Sequence, residues 1–269
     1  MPLRSRHTRH STTSRPSIWA MTGLAVVVAS GACLAGCSTS GGTGAEPSTL
    51  LAQASTAVSS EHAVHVSGSI TSTKGSQVDS VVVDATGNQA GASAGTLRFA
   101  GRGMGFDGET RFVIEGGSTF FFGDTALWTS LFGKSSTSAE AEALMPKVVD
   151  HWIELPASST ALIDTDALGL PVPTLWLEKS LKLKGKLHNQ GSATLSGRRG
   201  IEVTSSQGAA LIVAATPPTL PLALSAETTK SGDLVRLSLV ISYPSSASIS
   251  KPKSYQSLSK IESVYLNGS

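Results

Sequence analysis

Cysteine is almost missing from this chain. Of 269 residues only Cys33 and Cys37 are cysteines, and both lie near the amino terminus. The residues that follow cannot be stapled by a disulfide and must be held by a hydrophobic core, at a length that suits one domain of ordinary size. A contiguous basic block is missing too. Lys and Arg are scattered, with no basic block and no interleaved aromatics, so no nucleic-acid partner is expected. Nor is there a long hydrophobic run. The most apolar stretch, 18–34, is short and rich in small residues, a poor fit to a bilayer span.

That stretch reads as part of an export signal. Residues 1–16 carry Arg4, Arg6, Arg9 and Arg15 without an acidic residue, and an uncharged apolar run follows, the order of a secretory signal. No paired arginines precede the apolar run, which favours the general secretory route over the twin-arginine one. The segment closes on Leu34-Ala35-Gly36-Cys37, which resembles the bacterial lipobox: a branched apolar residue, two small residues, then the cysteine that receives a diacylglyceryl thioether. The resemblance implies cleavage before Cys37 and a lipid on its thiol. The product would be held through that lipid on the extracytoplasmic face of a cell membrane. Four of the 21 Lys and Arg lie in residues 1–36, leaving 17 basic against 19 acidic residues and a net charge of −2. The overall basic balance of +2 thus belongs to the export segment.

Three parts are expected: a signal peptide over 1–36, a flexible tether over 37–48 and a single domain over 49–269. The tether, STSGGTGAEPS after Cys37, is small, polar and Gly-rich and buries no apolar surface. In 49–58, Leu50, Leu51, Ala54 and Val58 recur at helical spacing. The period then changes to two. Val64, Val66 and Ile70 alternate with polar residues, and strands are expected over 78–85, 96–106, 111–115 and 118–122. A second set is expected from 181, where Leu181, Leu183 and Leu187 alternate with Lys182, Lys184 and Lys186, then over 194–204, 210–215, 220–228 and 234–243. Val235, Leu237, Leu239, Ile241 and Tyr243 would share one face. Helices are expected over 124–132 with Asp124 as N-cap, 139–149, 172–181 and 257–266. Short strands joined by tight turns make antiparallel meanders, so the pattern is that of an α+β domain built on one large antiparallel sheet.

Particular segments sharpen this picture. Gly117-Ser-Thr-Phe-Phe-Phe-Gly-Asp124 runs into Leu127-Trp128, and His151-Trp-Ile-Glu-Leu-Pro156 follows. Downstream, Gly197-Arg-Arg-Gly-Ile-Glu-Val203 leads to Ala210-Leu-Ile-Val-Ala-Ala215 and Pro221-Leu-Ala-Leu224. Together with the order helix, meander, helical insert, second meander, these resemble the LppX/LprG lipoproteins of actinobacteria and their LolA-like fold. The resemblance spans most of residues 47–245. It implies a strongly curved sheet, a half-barrel with helices over its concave face, around an apolar cavity for a lipid or an acylated protein. It carries over no position-specific ligand contact.

Motifs that suggest catalysis lack the surroundings they need. Gly91-Ala-Ser-Ala-Gly95 has the spacing of a nucleophile elbow, but strands flank it on both sides where a helix should follow. Gly103-Met-Gly-Phe-Asp-Gly108 has dinucleotide-fingerprint spacing and runs into a strand instead of a phosphate-binding helix. His62 and His65, three apart, would point to opposite faces of a strand and so share no metal. Asp164 and Asp166 read as a solvated turn, and Lys182, Lys184 and Lys186 as the wet face of a strand. No catalytic constellation, metal site or cofactor is expected.

The aromatic residues are concentrated. Phe120, Phe121, Phe122, Trp128, Phe132 and Trp152 fall within about a seventh of the mature chain. They either fill the core or line a lipid cavity, for which Phe120, Phe122, Trp128, Leu131, Phe132 and Trp152 are the candidate residues. In a strand Phe121 must point away from Phe120 and Phe122. The expected function is that of a monomeric envelope lipoprotein binding or carrying a lipid or acylated ligand. The alternative is a structural or sensory envelope protein with no bound lipid.

Overall fold

The computed structural model describes residues 44–101, 108–132, 138–155, 173, 177, 181–230 and 232–266, with the side chains of 130–132, 138–141, 230, 262, 265 and 266 outside that set. Helix α1 (Pro47–Ser60) opens with Pro in its first turn, where the missing N–H is no loss. It buries Leu50, Leu51, Ala54 and Val58 along one stripe. Pro47 and Ser48, read from sequence as the end of the tether, thus form the first turn of the helix.

Five strands follow as a meander: β1 (Ala63–Lys74), β2 (Gln77–Asn88), β3 (Ser93–Ala100), β4 (Gly108–Glu115) and β5 (Ser118–Gly123). Helices α2 (Thr125–Phe132) and α3 (Ser138–Val148) and the short β6 (Ile153–Leu155) complete the first half. The second half is another meander: β7 (Leu187–Leu195), β8 (Arg198–Ser205), β9 (Ala209–Ala214), β10 (Pro221–Lys230) and β11 (Asp233–Ser242). A two-residue β12 (Gln256–Ser257) and helix α4 (Leu258–Leu266) close the described chain.

The twelve described strands form one open sheet in the order β12-β6-β5-β4-β3-β2-β1-β11-β10-β9-β8-β7. The two meanders grow outward from a central antiparallel pair, β1 with β11, in which His65 faces Ser242 and Ile70 faces Leu237. The one parallel pair in this order is β12 with β6. Between β2 and β3 the strands approach so closely at Gly95 that a Cβ there would sit 2.2 Å from the Asp84 carbonyl oxygen. Only glycine fits that position.

One face of the sheet carries the core. Ten strands, β1–β6 and β8–β11, contribute buried side chains, and helices α1 to α4 press theirs onto that face: Leu50 to Val58 from α1, Leu127 and Trp128 from α2, Leu144 and Val148 from α3, Leu258 and Ile261 from α4. Leu239 and Ile241 lie in this core and Leu237 and Tyr243 pack against it, as the alternation in β11 predicts.

Two expectations change. The strand expected over 194–204 is two strands, because Ser196 (φ 48°) and Gly197 (φ 79°) make the left-handed turn of a hairpin between β7 and β8. The lysine row is not in a strand, since β7 begins only at Leu187. The alternation nevertheless persists there: Leu181 is buried and Lys182, Lys184 and Lys186 are exposed. Of the helix expected over 172–181, Pro173 and Leu177 are helical and the rest apart from Leu181 lies outside the described residues, as do residues 102–106 of the strand expected over 96–106.

Candidate functional site

The aromatic end of the sheet is assembled by a helix cap. Asp124, at the end of β5, accepts a hydrogen bond on Oδ1 from the Leu127 N–H at 2.8 Å, so the chain turns directly from strand to α2. That turn brings Leu127 and Trp128 into the same buried cluster as Phe112 and Phe121, which face each other across β4 and β5. Trp128 and Phe121 are 0% exposed, so no water-sized space touches either ring.

Phe120, Phe122 and Trp152 lie on the opposite face. Phe120 pairs with Val113, one residue out of phase with the core, and meets the ring of Tyr255 edge-on at 4.8 Å. Arg111 lies opposite Phe122, with its guanidinium 4.0 Å from that ring centroid and 5.5 Å from the Trp152 ring. On the same face, Ser118 Oγ donates to Glu154 Oε1 at 2.9 Å, and the Lys251 N–H donates to Glu115 Oε2 at 3.2 Å. The cavity candidates therefore divide. Trp128 belongs to the core face, while Phe120, Phe122 and Trp152 belong to the outer face. The side chains of Leu131 and Phe132 lie outside the described residues.

Phe121, Phe112 and Phe99 are the core-face aromatics that the candidate set left out. Strand parity separates Phe121 from its neighbours, but parity alone does not say which face is the core.

Beyond Phe99 the core face turns aliphatic. From β2 across β1, β11, β10 and β9 to β8, its members of the buried cluster are Val81, Val83, Ala85, Val64, Val66, Ile241, Leu239, Leu224, Leu211, Val213, Val203 and Ile201. Pro173 covers one end of this strip: a Cβ on Gly87 would come 3.0 Å from its Cδ. Leu177 and Leu181 join the same cluster.

An open cleft of about 370 Å³ is lined by His65, Thr86 and Ser242 of the outer face together with Tyr243 and Pro244. His65 Nδ1 hydrogen-bonds Thr86 Oγ1 at 3.0 Å, and its Nε2 lies 4.0 Å from Asp84 Oδ2. Tyr243 donates to the Pro221 carbonyl oxygen at 2.9 Å. Burial pushes its phenol well above the usual tyrosine value, and the Glu61 carboxylate pushes it further.

Among the described residues, no three His, Cys, Asp or Glu side chains converge as metal ligands. Ser93 of the elbow-like motif starts β3 and is buried, which keeps its hydroxyl from any substrate in solvent. Residues 103–107 of the dinucleotide-like motif lie outside the described residues, and Gly108 begins a strand. Asp164 and Asp166 also lie outside them. His62 is exposed just before β1, His188 is exposed on β7, and His151 donates from Nδ1 to the Val149 carbonyl oxygen at 2.7 Å. No helix among the described residues is long and apolar enough to cross a membrane.

No family model matches the chain, and no curated protein matches it. Among solved structures it is similar to LprF from Mycobacterium bovis, at 12% identity over 79% of this chain and 99% of that one, with a TM-score of 0.47. It is similar to the Mycobacterium tuberculosis lipoprotein LppX at 13% identity, over 76% of this chain and 98% of that one, with a TM-score of 0.44. A LolA superfamily protein from Nitrosomonas europaea aligns over 77% of this chain and 96% of its own, at 11% identity and a TM-score of 0.24.

Proposed function

We propose that the protein is a non-catalytic envelope lipoprotein, anchored through Cys37, that holds the acyl chain of a lipid or an acylated protein against the core face of its sheet. The observation that carries the ligand reading is the aliphatic strip from β2 to β8, six adjacent strands whose members of the buried hydrophobic cluster are all Val, Leu, Ile or Ala. An acyl chain laid there would exchange side-chain contacts for methylene contacts of the same kind, so binding would displace covering side chains, Pro173, Leu177 and Leu181 among them. Ligand pockets are mostly apolar in this way. The anchor reading rests on Leu34-Ala35-Gly36-Cys37 behind a charge-free apolar run.

Organic extraction of protein purified from its native membrane, followed by lipid mass spectrometry, tests the ligand. The expected result is a non-covalent acyl lipid in near-equal amount with the protein. Its absence from the extract, together with no binding in a fluorescent-lipid titration, would reject carriage. A Cys37→Ser chain tests the anchor and should remain unprocessed and leave the detergent phase.

A second reading is favoured by the aromatic end of the core, where Phe121, Leu127 and Trp128 have no accessible surface. If the whole core face is filled by its own side chains in this way, the protein is a structural or sensory lipoprotein without a lipid ligand.

A further inference from the structure

The lysine row before β7 is presented from a fixed ledge. Leu181 is buried, and Leu183 and Leu187 pack against the core. Lys182, Lys184 and Lys186 alternate with them and are exposed. The backbone beneath is tied to the end of β8 and the turn after it at three points. The Lys186 N–H donates to Ser206 Oγ at 3.0 Å, the Ser206 N–H donates to the Lys186 carbonyl at 2.9 Å, and Ser205 Oγ donates to the Lys184 carbonyl. Among the described residues, no carboxylate lies within ion-pair distance of any of the three ammonium groups.

The amino-terminal chain leaves the domain beside this ledge. Asn189, three residues beyond Lys186, donates from Nδ2 to the Ala45 carbonyl at 3.0 Å. Three residues of extended chain span about 10 Å. From Ala45 back to Cys37 is a further eight residues, a reach of at most about 28 Å. A lipid on Cys37 therefore keeps the lysine ledge close to the bilayer. Lys251 and Lys253 are exposed as well, but sit in the segment that crosses the outer face toward β6, at the far end of the sheet.

We infer that Lys182, Lys184 and Lys186 form a docking surface for the anionic headgroups of the membrane that holds the anchor. This deepens the anchored reading of Cys37 and rests on it. Clustered lysines near a leaflet are drawn to acidic phospholipids, and a basic patch beside a lipid chain acts as a second membrane signal. The docked domain would lie with the β7 edge toward the bilayer, and the segment bearing Lys251 and Lys253 away from it.

The full-length lipidated protein, reconstituted in phosphatidylcholine vesicles with and without phosphatidylglycerol, tests this by the rate of lysine acetylation read residue by residue. Phosphatidylglycerol should slow labelling of Lys182, Lys184 and Lys186 by about tenfold, and high salt should restore it, because an exposed ionic contact is screened. Lys251 and Lys253 should label at one rate throughout. Equal rates at the three lysines in both vesicles would overturn the inference. So would slowing of all lysines alike, or protection in native membranes but not in phosphatidylglycerol vesicles, which would point to an acidic protein partner. The mass of the amino-terminal peptide reads the lipid separately. If it carries none, the anchor reading fails, and protection by phosphatidylglycerol vesicles added to the protein still decides the docking.

Discussion

Tyr255 stands edge-on against Phe120, with ring centroids 4.8 Å apart and 69° between the ring planes. The contact joins the segment after β11 to a face of the sheet that would otherwise expose a phenylalanine. Beneath that segment runs one cross-strand row: Ser242, His65, Thr86, Ala94, Val113 and Phe120. From Phe120 the chain passes to β12 beside β6, where the Gln256 N–H donates to the Trp152 carbonyl at 2.8 Å, and α4 then packs on the core side. The carboxy-terminal segment thus clips over the edge of the sheet. Tyr255, 39% exposed, should lose about 0.5–1.5 kcal/mol of stability when changed to Ala, the usual worth of an aromatic pair. Phe120→Ala should lose about 3–5 kcal/mol. Urea midpoints of the two variants check this ordering.

Trp128→Ala should be among the most damaging single truncations in the domain. With no exposed surface, the indole leaves a cavity on removal, at a loss of roughly 3–5 kcal/mol. A fluorescent-lipid titration on the same sample separates two roles. Weakened binding in a still-folded variant would tie the aromatic end to the ligand, and unchanged affinity would leave Trp128 a core residue.

Asp124→Ala removes the oxygen that accepts the Leu127 N–H and should cost about 1 kcal/mol, whereas Asp124→Asn should retain most of the stability. Thermal unfolding of the two variants side by side provides the measurement. Equal losses would show that the carboxylate acts through charge and not as a cap.

Alkaline pH should destabilise the domain through Tyr243. Its folded pKa is raised by burial above the unfolded value of about 10, so the folded state holds the phenol proton more tightly. The stabilisation is complete below pH about 10 and is lost as pH rises beyond it. Tyr243→Phe gives up the hydrogen bond to Pro221 and lowers stability at neutral pH, but should flatten the alkaline decline. Urea midpoints from neutral to strongly alkaline buffer, in both proteins, decide it.

Much of the fold could be read directly because its signals are short-ranged. Period-two alternation located β1, β2, β4, β5, β9, β10 and β11. Helical spacing of Leu50, Leu51, Ala54 and Val58 located α1, and Asp124 marked the start of α2. The hairpin at Ser196 and Gly197 went unread because Leu195 and Ile201 sit in an apolar pattern that runs across it, and Ser-Gly was its signal. The tiny β6 and β12 have too few residues to show any period.

The candidate site was legible only in part. Alternation required Phe121 to oppose Phe120 and Phe122, yet it could not say that Phe121 would join Trp128 in the core while Phe120 met Tyr255. That choice depends on which segments cover each face, and those segments are remote in the chain.

By itself the amino-acid sequence determined most of the longer strands and helices, the absence of disulfides after Cys37, and a cleavage and lipidation pattern expected at that residue. These follow from chemistry among residues a few positions apart. Only the tertiary structure decided that β1 pairs with β11, that the helices gather on one face, and that the carboxy-terminal segment crosses the other. Asn189 and Ala45 are separated by 144 residues, and Lys251 and Glu115 by 136. Contacts at such separations follow from how the whole chain shares one core: each apolar face must be covered by whichever distant segment the completed sheet brings within reach.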